Sequence, residues 1–167
     1  MSAFSFAHEV ESPISPRRIF KALILDSHTL LPKIMPGSNS VVFLQGHGAP
    51  SSLTFCLFSF HHPPLSIGCL IRYAKHRIDE LDRENCRCKY TLIDGDIIDD
   101  RKLKMVEYEV EFVDDSRGGC ICKMSSKYFS DGDIEFGDED IEIGKDKAME
   151  VYRVIEAYLL ANPDAYA

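Results

Sequence analysis

A run of strand patterns closed by one long helical pattern constrains this chain more than any other feature. From Asp138 to Ala161, Gly144, Ala148, Val151, Ile155 and Tyr158 recur at helical spacing. The first turn is acidic, as the helix dipole favours, and Pro163 ends the pattern. At about 1.5 Å per residue, such a helix is roughly 36 Å long. Before it, Val106 to Val113 sets Glu107, Glu109 and Glu111 on one face and Tyr108, Val110 and Phe112 on the other. Asp114-Asp115-Ser116-Arg117-Gly118-Gly119 predicts a hairpin turn, with Cys120 to Ser130 as the partner strand.

The remaining elements fit the same plan. Phe4 to Glu11 alternates as a half-buried strand. Ser15-Pro16 supplies an N-cap and a proline at the first helical position, so Arg17 to Leu25 reads as a short helix. Thr29 to Ile34 is a second short helix, limited by Pro32. Val41 to Gln45, Leu53 to Phe60, Ile71 to Ile78 and Cys86 to Ile93 read as strands. The order is strand, two short helices, six strands and one long helix. Consecutive strands joined by tight turns imply an antiparallel sheet. One helix covers one face of such a sheet, and a sheet curled around it can enclose space that side chains do not fill. The expectation is one α+β domain over residues 1–167, long enough to bury a core of its own.

Charge narrows the function. The net charge of −8 argues against electrostatic binding to nucleic acid or to anionic membranes. Met1 to Glu11 has no basic start and no apolar run, so no signal peptide is expected there, and no stretch approaches a membrane span. A cytoplasmic location follows as an expectation. In that compartment the six cysteines, Cys56, Cys69, Cys86, Cys88, Cys120 and Cys122, are expected as free thiols.

Several motifs carry a resemblance. They are Lys75-His76-Arg77-Ile78-Asp79-Glu80-Leu81-Asp82, Lys89-Tyr90-Thr91-Leu92-Ile93-Asp94-Gly95-Asp96, Gly118-Gly119, Ser126-Lys127-Tyr128 and the ending Glu156 to Tyr166. In this order and spacing the chain resembles the class-ten pathogenesis-related proteins of plants, the family of the major birch pollen allergen, over nearly its whole length. The resemblance implies a helix-grip fold: a seven-stranded antiparallel sheet wrapped around a long C-terminal helix, with two short helices closing one end. It implies an intracellular, defence-related protein that binds small amphipathic metabolites or hormones, such as cytokinins, flavonoids or sterols, in an internal cavity. It implies no cofactor. A few relatives, such as norcoclaurine synthase, are enzymes, so an enzyme of plant specialised metabolism using the same cavity is the alternative.

On that fold the expected cavity wall is Val10, Leu23, Ile71, Tyr73, Cys88, Tyr90, Leu92, Tyr108, Val110, Ala148 and Val151, with Tyr73, Tyr90, Tyr108 and Ser125 as hydrogen-bonding groups. Lys123 matches the strand position of the catalytic lysine in norcoclaurine synthase, a weak catalytic candidate that is better read as a lysine at the cavity rim. The chain departs from the family in two places. Gly46-His47-Gly48-Ala49-Pro50-Ser51 keeps only part of the glycine-rich loop, and Phe55 to Leu70 is diverged and longer than usual. The second departure leaves two origins open, an adaptation or a gene-model artefact. Its apolar residues on both faces, with Pro63-Pro64 breaking the ladder, lead to an irregular loop at His61 to Ile67 and to self-association or an altered cavity mouth.

Other motifs read more plainly as structure. The loop at Gly46 lacks the lysine and hydroxyl residue of a phosphate cradle. Asp131, Asp133, Glu135 and Glu142 stand at calcium-loop positions, but Phe136 occupies the place where the loop needs glycine. Cys86-Arg87-Cys88 and Cys120-Ile121-Cys122 lack zinc-site spacing, and Val106 to Val113 is expected between them. His61-His62 fits a solvated loop. No metal site is expected. A hormone-receptor reading lacks its Ser-Gly-Leu-Pro gate, and no histidine pair supports ribonuclease chemistry.

Overall fold

The computed structural model describes residues 2–34, 39–45, 53–58, 73–95, 98, 103–132 and 138–167. Strands β1 (Ser2–Ser12), β2 (Asn39–Gln45), β3 (Leu53–Phe58), β4 (Tyr73–Asp82), β5 (Arg87–Gly95), β6 (Leu103–Asp114) and β7 (Cys120–Ser130) form one sheet, ordered β1-β7-β6-β5-β4-β3-β2. Every neighbouring pair is antiparallel. Seven strands at about 4.8 Å spacing span roughly 29 Å, whereas a helix with its side chains is about 10–12 Å wide. The long helix α3 (Asp138–Ala161), the only one of its length among the described residues, therefore covers the inner face only where the sheet curves toward it.

Between β1 and β2 the chain forms α1 (Pro16–Phe20) and α2 (Ser27–Ile34), joined by a wide π turn over Lys21–Leu25. The sequence pattern reads as one helix through Leu25. Instead the Asp26 N–H reaches back five residues to the Lys21 carbonyl at 2.9 Å, which closes the wider turn. Ser15 stands at the N-cap with extended backbone, and Pro16 occupies the first helical position, but the serine side chain makes no capping bond. Pro32 lies inside α2 rather than ending it.

The alternation of β6 and β7 decides the core. In β7, and in β6 from Val106 on, even-numbered residues face α3 and odd-numbered ones face away; a bulge between Leu103 and Met105 shifts the parity, so Leu103 is also buried. A large cluster joins Ile14, Ile19, Phe20, Leu30, Cys88, Val110, Phe112, Cys120 and Cys122 to Tyr152, Ile155 and Leu159 of α3. A second cluster holds Ala74, Leu92, Leu103, Val106 and Tyr128. Outside, the acidic row of β6 is flanked by basic neighbours: Glu111 lies between Arg87 and Lys123, and Glu107 beside Lys127. This ladder of opposite charges favours the observed register.

Two local devices close the molecule. Arg18 of α1 donates from Nε to the Ala165 carbonyl (3.1 Å) and from Nη2 to the carbonyls of Leu159 (3.1 Å), Asn162 (3.0 Å) and Ala165 (3.0 Å). The last turn of α3 has no basic residue of its own, so α1 supplies the cation its negative end favours. At the β6–β7 turn, the Asp115 carboxylate accepts from the N–H groups of Arg117 (2.8 Å) and Gly119 (3.0 Å). A Cβ at Gly119 would stand 2.3 Å from the Ser12 carbonyl oxygen, so close approach to β1 requires glycine there.

Leu53–Phe58 pairs with β2 on one side and β4 on the other, so this stretch is an inner strand, and the sheet's edges are β1 and β2. The glycine-rich loop, His61-His62, Pro63-Pro64 and the rest of His61 to Ile67 lie outside the described residues.

Candidate functional site

One register row crosses five strands on the face toward α3. Phe6 pairs with Ser126, Ser126 with Tyr108, Tyr108 with Tyr90 and Tyr90 with Ile78. All five are half-buried, whereas Cys88, Val110 and Cys122 toward one end and Leu92, Val106 and Tyr128 toward the other are buried. The helix changes along its length in the same way. Tyr152 and Ile155 are buried, yet Ala148, one turn before Tyr152 on that face, is exposed. Packing is complete at the two ends and looser in the band between.

An aromatic group with polar tips stands in that band. The Tyr90 and Tyr108 rings stack with centroids 5.0 Å apart, and His76 meets them edge-on at 5.4 and 6.1 Å. Burial lowers the His76 imidazole to about 4, so it is neutral at physiological pH. Burial also pushes the Tyr108 phenol well above its ordinary value, helped by Tyr128 and Tyr90. Tyr128 is raised by burial and partly relieved by a hydrogen bond with Ser126. Both His76 and Tyr108 are thus strongly desolvated by surrounding protein while keeping some accessible surface. Neutral phenols and a neutral imidazole can both donate and accept hydrogen bonds.

The structure distributes the expected wall unevenly. Val10, Leu23 and Val151 pack, partly buried, against the large cluster, and Cys88 and Val110 lie within it. Leu92 is in the second cluster, and Tyr108 packs on it. Tyr90 and Tyr108 face inward together. Ala148 is on the correct helix face but is not packed. Ser125 is a correction: it is exposed on the outer face, because the bulge-free β7 keeps parity and turns Ser126 inward instead. Lys123 is a second correction. It is exposed on the outer face, in register with Glu111 and Glu9, and cannot serve chemistry beneath α3 from there. Ile71 and the side chain of Tyr73 lie outside the described residues. His76 and Ser126 were missed, although the strict alternation of Cys120 to Ser130 signals Ser126, and His76 stands within a motif that carried the resemblance.

A depression of about 550 Å³ exists on the opposite side of the sheet. Ten of its fourteen lining residues are odd-numbered, including Ser5, Ala7, Arg77, Glu107, Ser125 and Lys127, and none belongs to α3. Three basic and three acidic side chains border it, as on a solvated charged face. It is not the space between sheet and helix.

Cys86, Cys88, Cys120 and Cys122 are buried free thiols. Strand β6 separates β5 from β7, so facing pairs stand about 9.6 Å apart, beyond the reach of a disulfide. Burial raises all four, Cys88 and Cys122 to about 12 and Cys120 to about 11. Such thiols are poor nucleophiles at neutral pH. No three histidine, cysteine or acidic residues come together as a metal site among the described residues. His8 on β1 and His76 on β4 stand four strand spacings apart, about 19 Å along the sheet, and do not form an acid–base pair. No described helix is long and apolar enough to cross a membrane.

Comparisons with known proteins agree with this architecture. The solved structure of Ara h 8.0201 superposes with a TM-score of 0.79 at 27% identity, covering 96% of this chain and all of that one. Norcoclaurine synthase from Thalictrum flavum, in complex with dopamine and hydroxybenzaldehyde, has a TM-score of 0.69 at 19% identity, covering 96% of this chain and 88% of that one; this likeness concerns the fold alone. In sequence, the chain is 38% identical to pathogenesis-related protein STH-21 of Solanum tuberosum, over the full length of both. It is 37% identical to major allergen Pru ar 1 of Prunus armeniaca, over 99% of each. Residues 1–162 match the pathogenesis-related protein Bet v 1 family, and the chain belongs to that family.

Proposed function

We propose that this protein reversibly binds a small amphipathic plant metabolite or hormone between the inner face of the sheet and α3, as an intracellular, defence-related carrier. The observation that supports this best is the His76–Tyr90–Tyr108 group, desolvated by protein yet not fully packed. Apolar neighbours would supply desolvation energy, and the neutral imidazole and phenols would orient the ligand. Stacked rings suit a planar ligand with hydroxyl groups, the chemistry of flavonoids and cytokinins, more than a sterol. The relatives named as pathogenesis-related proteins support the defence context. The acidic surface weighs against nucleic acid or anionic membrane as the partner. The enzyme alternative loses its candidate lysine, since Lys123 is on the outer face.

Anilinonaphthalene sulfonate tests the reading. It should bind the native protein saturably, with micromolar affinity, and flavonoids or cytokinins should displace it. Tyr90→Leu should weaken the displacing ligand several-fold while circular dichroism stays native. Binding that arises only under partly unfolding conditions would refute a preformed site.

A further inference from the structure

Among the described residues, His8 Nε2 and Arg87 Nε are buried without a hydrogen-bond partner, and Tyr152 Oη has none closer than the neighbouring Ser12 hydroxyl. Such atoms are rare enough in folded proteins that each needs a reason. Arg87 belongs to a guanidinium already bonded to Glu80 at 2.7 Å through Nη2. The Tyr152 hydroxyl sits beside Ser12 in the filled cluster. His8 is different. It follows Phe6 on the inward face of β1, its ring 5.8 Å from that of Phe6, and it pairs in register with Met124, which offers no hydrogen bond of comparable strength. The half-buried band begins beside it.

The charge that acts on His8 is the ammonium of Lys145, which stands on α3 one turn before Met149, a residue packed against the large cluster. Burial first and then the Lys145 ammonium lower the His8 pKa. Lys145 makes no ion pair among the described residues. The acids nearest in sequence, Glu9 and Glu11 of β1, project to the opposite side of the sheet, as do Glu107, Glu109 and Glu111 of β6. On α3 itself Glu142 and Asp146 are exposed and neither forms an ion pair with Lys145, so among the described residues this inner corner holds a hydrogen-bonding imidazole and an ammonium with no carboxylate paired to either.

We infer that His8 and Lys145 form a recognition corner for the carboxylate of an amphipathic ligand whose apolar body lies against the Tyr90–Tyr108 band. The inference rests on the interior-binding reading above and adds the ligand's head group to it. A carboxylate oxygen would accept from His8 Nε2–H, satisfying the atom left without a partner, while Lys145 supplies the opposite charge. The imidazole would gain a proton more readily once the anion offsets the lysine field.

Naphthalene-2-acetic acid and naphthalene-2-acetamide share one apolar body and differ in the charge of the head. Calorimetric titration of the whole protein should show the acid binding about tenfold or more tightly than the amide, the ratio one charge-assisted hydrogen bond gives. In Lys145→Met that ratio should fall to about twofold, and in His8→Phe both compounds should weaken, because the amide carbonyl also accepts from His8 Nε2–H, but the acid should weaken more, so that the ratio falls there as well. The His8 C2–H resonance should titrate at higher pH with the acid bound than with the amide. Equal binding of acid and amide by the natural chain, or a preference that survives both variants, overturns this inference and leaves the interior site standing. Binding of neither compound, with anilinonaphthalene sulfonate also failing, overturns the interior site and the inference together.

Discussion

Replacing Arg18 by alanine should loosen the closed end of the molecule more than any other single change at its surface. The guanidinium makes four contacts to three carbonyls at and beyond the end of α3. A hydrogen bond to a charged group contributes about 1.5–3 kcal/mol, and a cation at a helix C-terminus adds about 0.3–1 kcal/mol. The four contacts do not add. They share one side chain, Arg18 is only half-buried, and water can reach the freed carbonyls. The expected loss is therefore about 2–3 kcal/mol, or roughly 4–12 °C in Tm for a domain of this size. Arg18→Lys keeps the charge but not the fork, so it should recover at most about half of the loss. Urea denaturation followed by circular dichroism gives the stabilities, and hydrogen exchange at Ile155 to Ala161 localises the effect. A loss under about 0.5 kcal/mol for Arg18→Ala, or full recovery by lysine, would refute the argument that the bidentate geometry closes this end.

Gly119→Ala should cost about 2–3 kcal/mol, because its Cβ would meet the Ser12 carbonyl oxygen at 2.3 Å, whereas Gly118→Ala, with open space but φ +92°, should cost about 1 kcal/mol; thermal melts of the two rank them, and the reverse order would be wrong for this geometry. The four buried thiols should resist a neutral thiol reagent in the native protein, and all six cysteines should react in denaturant without prior reduction; fewer than six would mean disulfides. Their pKa values, raised from 9.0 to about 11–12 for Cys88, Cys120 and Cys122, mean that the unfolded chain loses protons the folded one keeps, so stability should fall as pH rises from about 9 toward 12. His76 works in the acid range: its folded value of about 4 lies below 6.5, the unfolded chain takes up the proton first, and stability should decline as pH falls from 6.5 to 4, a slope that His76→Gln should flatten in urea titrations at several pH values.

Much of the fold is legible in the residue order, because strand alternation and helical spacing are local. The span of α3, the span of β7 and the hairpin between β6 and β7 read directly from Asp138 to Ala161, Cys120 to Ser130 and Asp114 to Gly119. Family motifs such as Lys75 to Asp82 and the C-terminal Glu156 to Tyr166 identify the architecture, and the parity of β5 and β6 puts Tyr90 and Tyr108 on the same face. Other features depend on contacts between residues far apart in the chain. The wide turn over Lys21–Leu25 forms where the sequence pattern continues a helix, and Arg18 meets carbonyls more than 140 residues away. Leu53–Phe58 has neighbours on both sides, which its apolar composition alone does not specify. Ser125 and Lys123 carry suitable chemistry for a site, but the register of β7 against β1 and β6 turns both away from α3 and turns Ser126 toward it. An isolated imidazole such as that of His76 ordinarily titrates at 6.5; only enclosure beside Tyr90 and Tyr108 removes its charge, because desolvation is set by what surrounds a group in space and not by its neighbours in the chain.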